Sequence, residues 1–240
     1  LPDVLESGAC VEAGDFDGDR DLDLFVGGRH VPGNYPTIPQ SVLLRNEGGK
    51  FEKVESVVNE AGLVTGAQWG DFDGDGRLDL LVACEWGPVK FYQNTPEGFV
   101  ENTGVAGLAK FTGWWTCVQV GDLDQDGDLD FVAGNFGLNT KYKVDAEHPA
   151  TLFAHDFGGQ GKLQLVEAKS KGGKLLPVRG RSCSTSAMPH LLKNAPSYTA
   201  FASKSLQDLY TPQALDEAIR LEANTLATTV FWNDGKGRFK

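Results

Sequence analysis

Asp15-Phe-Asp-Gly-Asp-Arg-Asp-Leu-Asp23, Asp71-Phe-Asp-Gly-Asp-Gly-Arg-Leu-Asp79 and Asp122-Leu-Asp-Gln-Asp-Gly-Asp-Leu-Asp130 are three versions of one nine-residue phrase. Each places carboxylates at positions 1, 3, 5 and 9. Four anions so close in the chain repel one another unless a cation holds them. Carboxylate oxygens at short odd spacing are the ligand set of a hard divalent ion, above all calcium. An EF-hand opens the same way, but its twelve-residue loop ends in a bidentate Glu and lies between helices. Here position 12 falls on Val26, Val82 and Ala133. The flanks read as strand instead. Cys10–Gly14 leads into the first loop, and Leu22–Val26, Leu78–Val82 and Leu129–Ala133 run out of the three loops. Short runs of β-branched and aromatic residues bounded by Gly are strand signals.

The loops begin 56 and 51 residues apart, a period that fits a propeller blade. A second echo supports it. Leu43–Phe51, Phe91–Phe99 and Phe231–Phe239 each read as strand, Asn-led turn with Gly, and strand, which is a hairpin. Ala61-Gly-Leu63 and Ala106-Gly-Leu108 follow the first two hairpins. One unit is therefore strand, acidic loop, strand, strand, turn, strand, the content of a propeller blade.

At 240 residues the chain has ample length for a core, and its 40% hydrophobic and 23% charged residues are ordinary for a globular protein. Its 30 glycines sit mostly at turns. The net charge of −11 is largely local, because the three loops hold 14 of the 33 acidic residues. Three divalent ions would bring −11 to −5. Nothing is basic enough for nucleic acid. No run of 18 apolar residues offers a membrane span. The start at Leu1 suggests a processed product or an excised piece. Four cysteines are too few for a disulfide scaffold. Cys10 and Cys117, each five residues before a loop, read as small apolar core residues, while a disulfide to Cys84 or Cys183 stays open.

The three loops resemble the FG-GAP (VCBS-type) repeats of integrin α-subunit propellers, with their DxDxDGxxD calcium loops. Gly27–Gly33, Gly113-Trp-Trp115, Gly134–Tyr142 and the stretch from Pro177 to Phe239 are more similar to exported bacterial FG-GAP repeat proteins associated with ASPIC/UnbV modules. The resemblance spans nearly the whole chain. It implies a calcium-stabilised propeller outside the cytoplasm and carries no defined reaction. By position, it implies that site one uses the side chains of Asp15, Asp17, Asp19 and Asp23 with the carbonyl of Asp21. Site two would use Asp71, Asp73, Asp75 and Asp79 with the carbonyl of Arg77. Site three would use Asp122, Asp124, Asp126 and Asp130 with the carbonyl of Asp128. Arg20 departs from the pattern by standing where the motif has Gly. If that position needs φ > 0, a non-Gly residue there costs about 1 kcal/mol, which makes site one the weakest.

A decayed copy at Asp156–Gln164 keeps one carboxylate and should keep its turn without an ion. It is either a fourth blade or the outer hairpin of the third. From about Ser182 to Ala223 the repeat breaks. Thr211 as N-cap, Pro212 at the first helical position, and Leu215, Ala218 and Ile219 on one face predict a helix. Ser197–Tyr210 is a weaker helical candidate. The histidines, His30, His148, His155 and His190, form no spaced metal pair, and the nucleophile-rich Ser182–Ser186 has no evident base. Trp114 and Trp115 alternate faces on a strand, so at most one is core and the other is exposed or at a blade interface.

The expected fold is all-β. It is a β-propeller of four-stranded antiparallel blades starting near residues 8, 64, 114 and about 150, with a helical insertion over about 182–223. Residues 1–240 make a single propeller domain or a propeller fragment whose ring this chain need not close. Three Ca2+ ions serve structure, and such extracellular sites bind at roughly 10⁻⁴–10⁻³ M, which requires a calcium-rich, extracytoplasmic setting. The preferred function is non-catalytic: binding, adhesion or scaffolding. The partner is a protein or glycan, or further blades from the same precursor or another chain. The competing class is an enzyme or enzyme subunit, for example acting on polysaccharide, with a site at the ring centre or beside the insertion.

Overall fold

The computed structural model describes residues 1–3 and 7–240. They fall into two compact units, Leu1–Leu138 with Leu226–Lys240, and Asn139–Thr225. The first unit begins with two antiparallel meanders. Strands β1 (Ser7–Gly14), β2 (Asp23–His30), β3 (Val42–Glu47) and β4 (Lys50–Val54) make the first blade. After a 3-10 turn at Val57–Glu60, β5 (Val64–Gly70), β6 (Asp79–Gly87), β7 (Lys90–Thr95) and β8 (Gly98–Glu101) make the second. Strands β9 (Gly113–Gly121) and β10 (Asp130–Asn135) start the third.

One register recurs. Gly14 pairs with Asp23, Gly70 with Asp79 and Gly121 with Asp130, so every acidic loop bridges the same point of its hairpin. Strand β5 lies against both β1 and β9. The close approach uses glycine: a Cβ on Gly66 would come 3.3 Å from Cys117 Cα, and one on Gly14 would come 2.7 Å from the Trp69 ring. Three equivalent polar residues form a ladder across these strands. Gln68 donates to Glu12 (3.2 Å) and Gln119 donates to Gln68 (3.4 Å). The core between blades is aromatic. Phe25, Leu43, Val64, Leu80 and Tyr92 cluster together, and Phe72, Phe91, Trp115, Phe131, Phe231 and Phe239 form a second cluster.

The chain then builds its second unit. Strands β11 (Ala150–His155), β12 (Gln164–Lys171) and β13 (Lys174–Pro177) form a meander. Five short helices follow: α1 (Arg181–Ala187), α2 (Leu191–Asn194), α3 (Tyr198–Ala202), α4 (Leu206–Leu209) and α5 (Pro212–Asp216). Strand β14 (Ile219–Ala223) pairs with β11, giving the order β13-β12-β11-β14. Phe153, Val166 and Ala168 of this sheet pack with Met188, Leu191, Phe201, Leu206, Leu209, Tyr210 and Leu215 of the helical stretch.

Strand β15 (Thr229–Phe231) returns to the first unit and pairs with β10, setting Phe231 opposite Phe131. A bridge between Asn233 and Phe239 supplies the outer hairpin of the third blade. Asp156–Gln164 therefore is not that hairpin. It is the turn between β11 and β12 of a helix-covered sheet, where the sequence suggested a blade near 150. The helical stretch is the later part of a longer insert that begins at Asn139. The helix expected from Thr211 starts as read, with Thr211 Oγ1 accepting from Ala214 N–H (3.2 Å), but it stops at Asp216. Ile219 pairs with Ala154 instead, because a sheet edge satisfies its backbone better than one more helical turn.

Candidate metal centres

Each loop is wired by the same hydrogen bonds. The position-1 carboxylate receives the N–H of position 6: Arg20 to Asp15 (3.0 Å), Gly76 to Asp71 (2.9 Å) and Gly127 to Asp122 (3.2 Å). The position-5 carboxylate receives the N–H of position 7: Asp21 to Asp19, Arg77 to Asp75 and Asp128 to Asp126, at 2.9, 2.9 and 3.2 Å. Position 9 is buried in every copy, with Asp23, Asp79 and Asp130 at most 1% exposed. One of its oxygens accepts the N–H of position 2, from Phe16, Phe72 or Leu123 (3.1, 3.2 and 3.0 Å). The other accepts the N–H of the turn asparagine, Asn46, Asn94 or Asn233, at 2.8 Å each time. Position 9 thus pins the loop to the outer hairpin of its blade. The spacing alone shows only a carboxylate there.

Carboxylate oxygens lie within 4.8 Å of one another in three groups: Asp15, Asp17 and Asp19; Asp71, Asp73 and Asp79; and Asp122, Asp124 and Asp130. Asp23, Asp75 and Asp126 stand outside these groups. Asp75 pairs with the guanidinium of Arg77, which also donates to Asn94 O (2.9 Å). In the other two loops position 7 is an aspartate. Asp21 Oδ1 and Asp128 Oδ1 are buried with no hydrogen-bond partner among the described residues. Buried oxygens that find no donor suit a cation, and Arg77 brings its own positive charge to the loop that lacks them. Electrostatics agree. Burial, with Asp73 and Asp75 nearby, pushes the Asp79 carboxyl up to about 7, although hydrogen bonds from Asn94 and Phe72 oppose the shift. Burial and the neighbouring aspartates also raise Asp124 and Asp128. A divalent ion would reverse that penalty, and the residues present fit one.

Backbone conformation revises the ranking of the sites. Position 6 is left-handed throughout, at φ 80 for Arg20, 86 for Gly76 and 100 for Gly127. Position 4 is left-handed as well, and there loop three places Gln125 at φ 65. Loops one and three each carry one residue that Gly would suit better, and loop two carries none. The decayed copy keeps the wiring without the anions. Asp156 accepts from Gln160 (2.9 Å) and Gly161 (2.6 Å), and Gln164 Oε1 accepts from Gly158 (3.1 Å).

The turn asparagines also do something that their sequence context did not reveal. Asn94 Nδ2 donates to Leu78 O in its own blade (3.2 Å) and to Phe16 O in the preceding loop (2.7 Å). Asn233 Nδ2 repeats this with Leu129 O (3.1 Å) and Phe72 O (2.8 Å). The first and second acidic loops are therefore each clamped by the next blade.

Blades of antiparallel strands, each with an aspartate loop between its first two strands and consecutive blades clamped together, define a propeller-type repeat protein. Residues 15–82 and 71–133 match the model of the FG-GAP-like repeat. The chain is an FG-GAP-type repeat protein. No curated protein matches it.

Away from the loops, all four cysteines are free, and Cys117 is exposed rather than core, with Cys10 half-buried. Trp115 is 1% exposed, while Trp114 sits between Trp86 (4.4 Å) and Phe136 (4.7 Å), so the pair divides between core and blade interface. Ser182–Ser186 lies within helix α1. His148 pairs with Asp145 at 3.0 Å, and His155 stands 4.0 Å from Glu217.

Proposed function

We propose that the chain is a calcium-stabilised β-propeller module that works outside the cytoplasm, binding or scaffolding a protein or glycan partner. The reading rests on one observation: three aspartate loops with the same wiring, each holding three carboxylates within 4.8 Å, the first two of them at a joint between blades. An ion at such a point would hold a loop against its own hairpin and, through the clamp, against the next blade. The full ligand sets follow the repeat pattern: Asp15, Asp17, Asp19 and Asp23 with Asp21 O; Asp71, Asp73, Asp75 and Asp79 with Arg77 O; and Asp122, Asp124, Asp126 and Asp130 with Asp128 O. Loop two needs Asp75 to leave Arg77. No helix among the described residues is long and apolar enough to cross a membrane. FG-GAP repeats are typical of extracellular proteins, and millimolar calcium outside the cell suits weak sites. The likeness to exported bacterial proteins with ASPIC/UnbV modules belongs to this reading.

Isothermal titration of the chelator-stripped protein with Ca2+ tests it. About three sites with dissociation constants of roughly 10⁻⁴–10⁻³ M are expected, each adding about 0.4–1.4 kcal/mol of stability at about 1 mM calcium. Absence of heat, together with an unchanged melting temperature at millimolar calcium, would remove the metal from the account.

A further inference from the structure

In the second unit a cleft of about 170 Å³ opens where the loop before β11 meets the start of β11 and the end of β12. Four lysines line it: Lys141 and Lys143 from the loop, and Lys169 and Lys171 from β12. Residues two apart on a strand share a face, so Lys169 and Lys171 point to one side of the sheet. Tyr142, Val144 and Pro149 add apolar surface to the lining. The setting is unusual for this chain. Residues 139–225 hold 11 of its 22 basic side chains and only 8 of its 33 acidic ones, so this unit carries +3 against −14 for the rest.

The carboxylates nearby are already committed. Glu167 accepts from Tyr142 Oη (2.8 Å) and from Arg179 (3.2 Å), and it stands 4.0 Å from Lys141 Nζ. Asp145 pairs with His148 at 3.0 Å. Among the described residues no carboxylate lies within 4.0 Å of the Lys143, Lys169 or Lys171 ammonium. The hairpin adds to the repulsion. Gly172 and Gly173 make a two-residue turn at φ 59 and 73, which sets Lys171 directly opposite Lys174. Like charges paired in this way destabilise a sheet. Asp208, whose carboxyl is held low mainly by hydrogen bonds from Ser205 and then by Lys204 and Lys174, offsets part of the Lys174 charge. A cleft lined by one sign of charge concentrates counter-ions.

We infer that this cleft is an anion site for the tetrahedral oxyanion of a sulfate or phosphate group, free or carried on a larger ligand. Ammonium groups are compact point charges with three rotatable donors, which suit such an oxyanion from any side. A planar carboxylate is better matched by the fork of an arginine. The apolar surface of Tyr142, Val144 and Pro149 gives the organic part of a ligand a place to rest. The site stands apart from the calcium reading because it uses no acidic loop. A failed calcium titration would leave it untouched, and its own failure would leave the calcium sites intact.

Calorimetric titration of the full chain with sodium sulfate, a heparin hexasaccharide and the same hexasaccharide desulfated tests it. At least one of the two sulfated probes should bind, more weakly as salt rises. Heat with sodium sulfate marks a free oxyanion as sufficient, and heat with the hexasaccharide only marks one carried on a saccharide; either supports the site. The desulfated sugar should bind at least tenfold more weakly than its parent. Lys169→Gln combined with Lys171→Gln should lose at least tenfold in affinity. Lys162→Gln combined with Lys193→Gln, outside the cleft and equal in net charge, should bind like the wild type. Lys171→Gln alone should bind more weakly yet raise the midpoint of urea unfolding, because it ends the repulsion with Lys174, and misfolding cannot produce that pair of results. The inference is overturned if neither sulfated probe binds, if the desulfated sugar matches its parent's affinity, or if the Lys169 and Lys171 double variant binds like the wild type.

Discussion

The side-chain amide of Asn94 donates to the backbone carbonyl of Phe16 at 2.7 Å, across 78 residues of sequence and from one blade to the loop of another. The same amide group holds Leu78 O in its own blade. Replacing Asn94 with Ala strands two carbonyls at once. A loss of about 2 kcal/mol is expected in equilibrium urea unfolding, since each buried, unsatisfied group costs about 1 kcal/mol or more. A change below roughly 0.5 kcal/mol, the range of ordinary surface substitutions, would show that the clamp carries no stability.

Positions within one loop should separate by role. Asp130 is 1% exposed and accepts from Leu123 and Asn233, whereas Asp124 is exposed. Asp130→Ala should destabilise the calcium-free protein by roughly 3 kcal/mol, because two N–H groups lose their acceptor. Asp124→Ala should leave calcium-free stability almost unchanged and remove one calcium equivalent from the titration. Equal effects of the two on the calcium-free melting curve would contradict this division.

Two substitutions should stabilise. Arg20 and Gln125 sit at φ 80 and 65, where a Cβ is strained. Arg20→Gly and Gln125→Gly are each expected to gain about 0.5–1 kcal/mol in chemical denaturation, the left-handed strain outweighing the extra freedom that glycine adds to the unfolded chain.

Thiol reactivity should split the cysteines in two. Burial pushes Cys10 up to about 11 and Cys84 up to about 12, so both stay protonated, and poorly nucleophilic, at pH 8. Cys117 and Cys183 are exposed. A disulfide-exchange reagent should consume two equivalents quickly and the other two only after denaturant is added.

Removing Asn139–Thr225 should leave the first unit folded. Gly137 N–H donates to Leu226 O at 2.8 Å, so the ends of the insert meet and a short glycine bridge can replace it. The shortened chain is expected to keep a cooperative melt and its full calcium stoichiometry. Loss of either would show that the blades depend on the insert.

The acidic loops and their flanking strands were legible because their chemistry is local: nine residues carry both the charge pattern and the turn. Gly14 opposite Asp23 and Gly70 opposite Asp79 follow from that phrase. The third blade was not legible in the same way. Its partner strands bring Phe131 to Phe231 across a hundred residues, and no pattern within either strand announces the other. The helix read from Thr211 failed at Ile219 for the same reason, since the edge of β11 that captures it lies some sixty residues earlier. At the candidate metal centres the spacing named the carboxylates but not their division of labour. Asp79 spends both oxygens on Phe72 and Asn94, and Gln125 adopts a glycine conformation that its side chain gives no hint of.

The late return of β15 to β10 has a consequence for birth on the ribosome. Translation advances at about 5–20 residues per second, so β10 waits roughly 5–20 s before the residues that complete its sheet exist. Through that interval Phe131 and the edge of β10 stand uncovered while the insert is made and folds. A nascent chain that stalled near Thr225 would carry two finished blades and a third still open to any passing strand, the state in which a molecular chaperone is needed most.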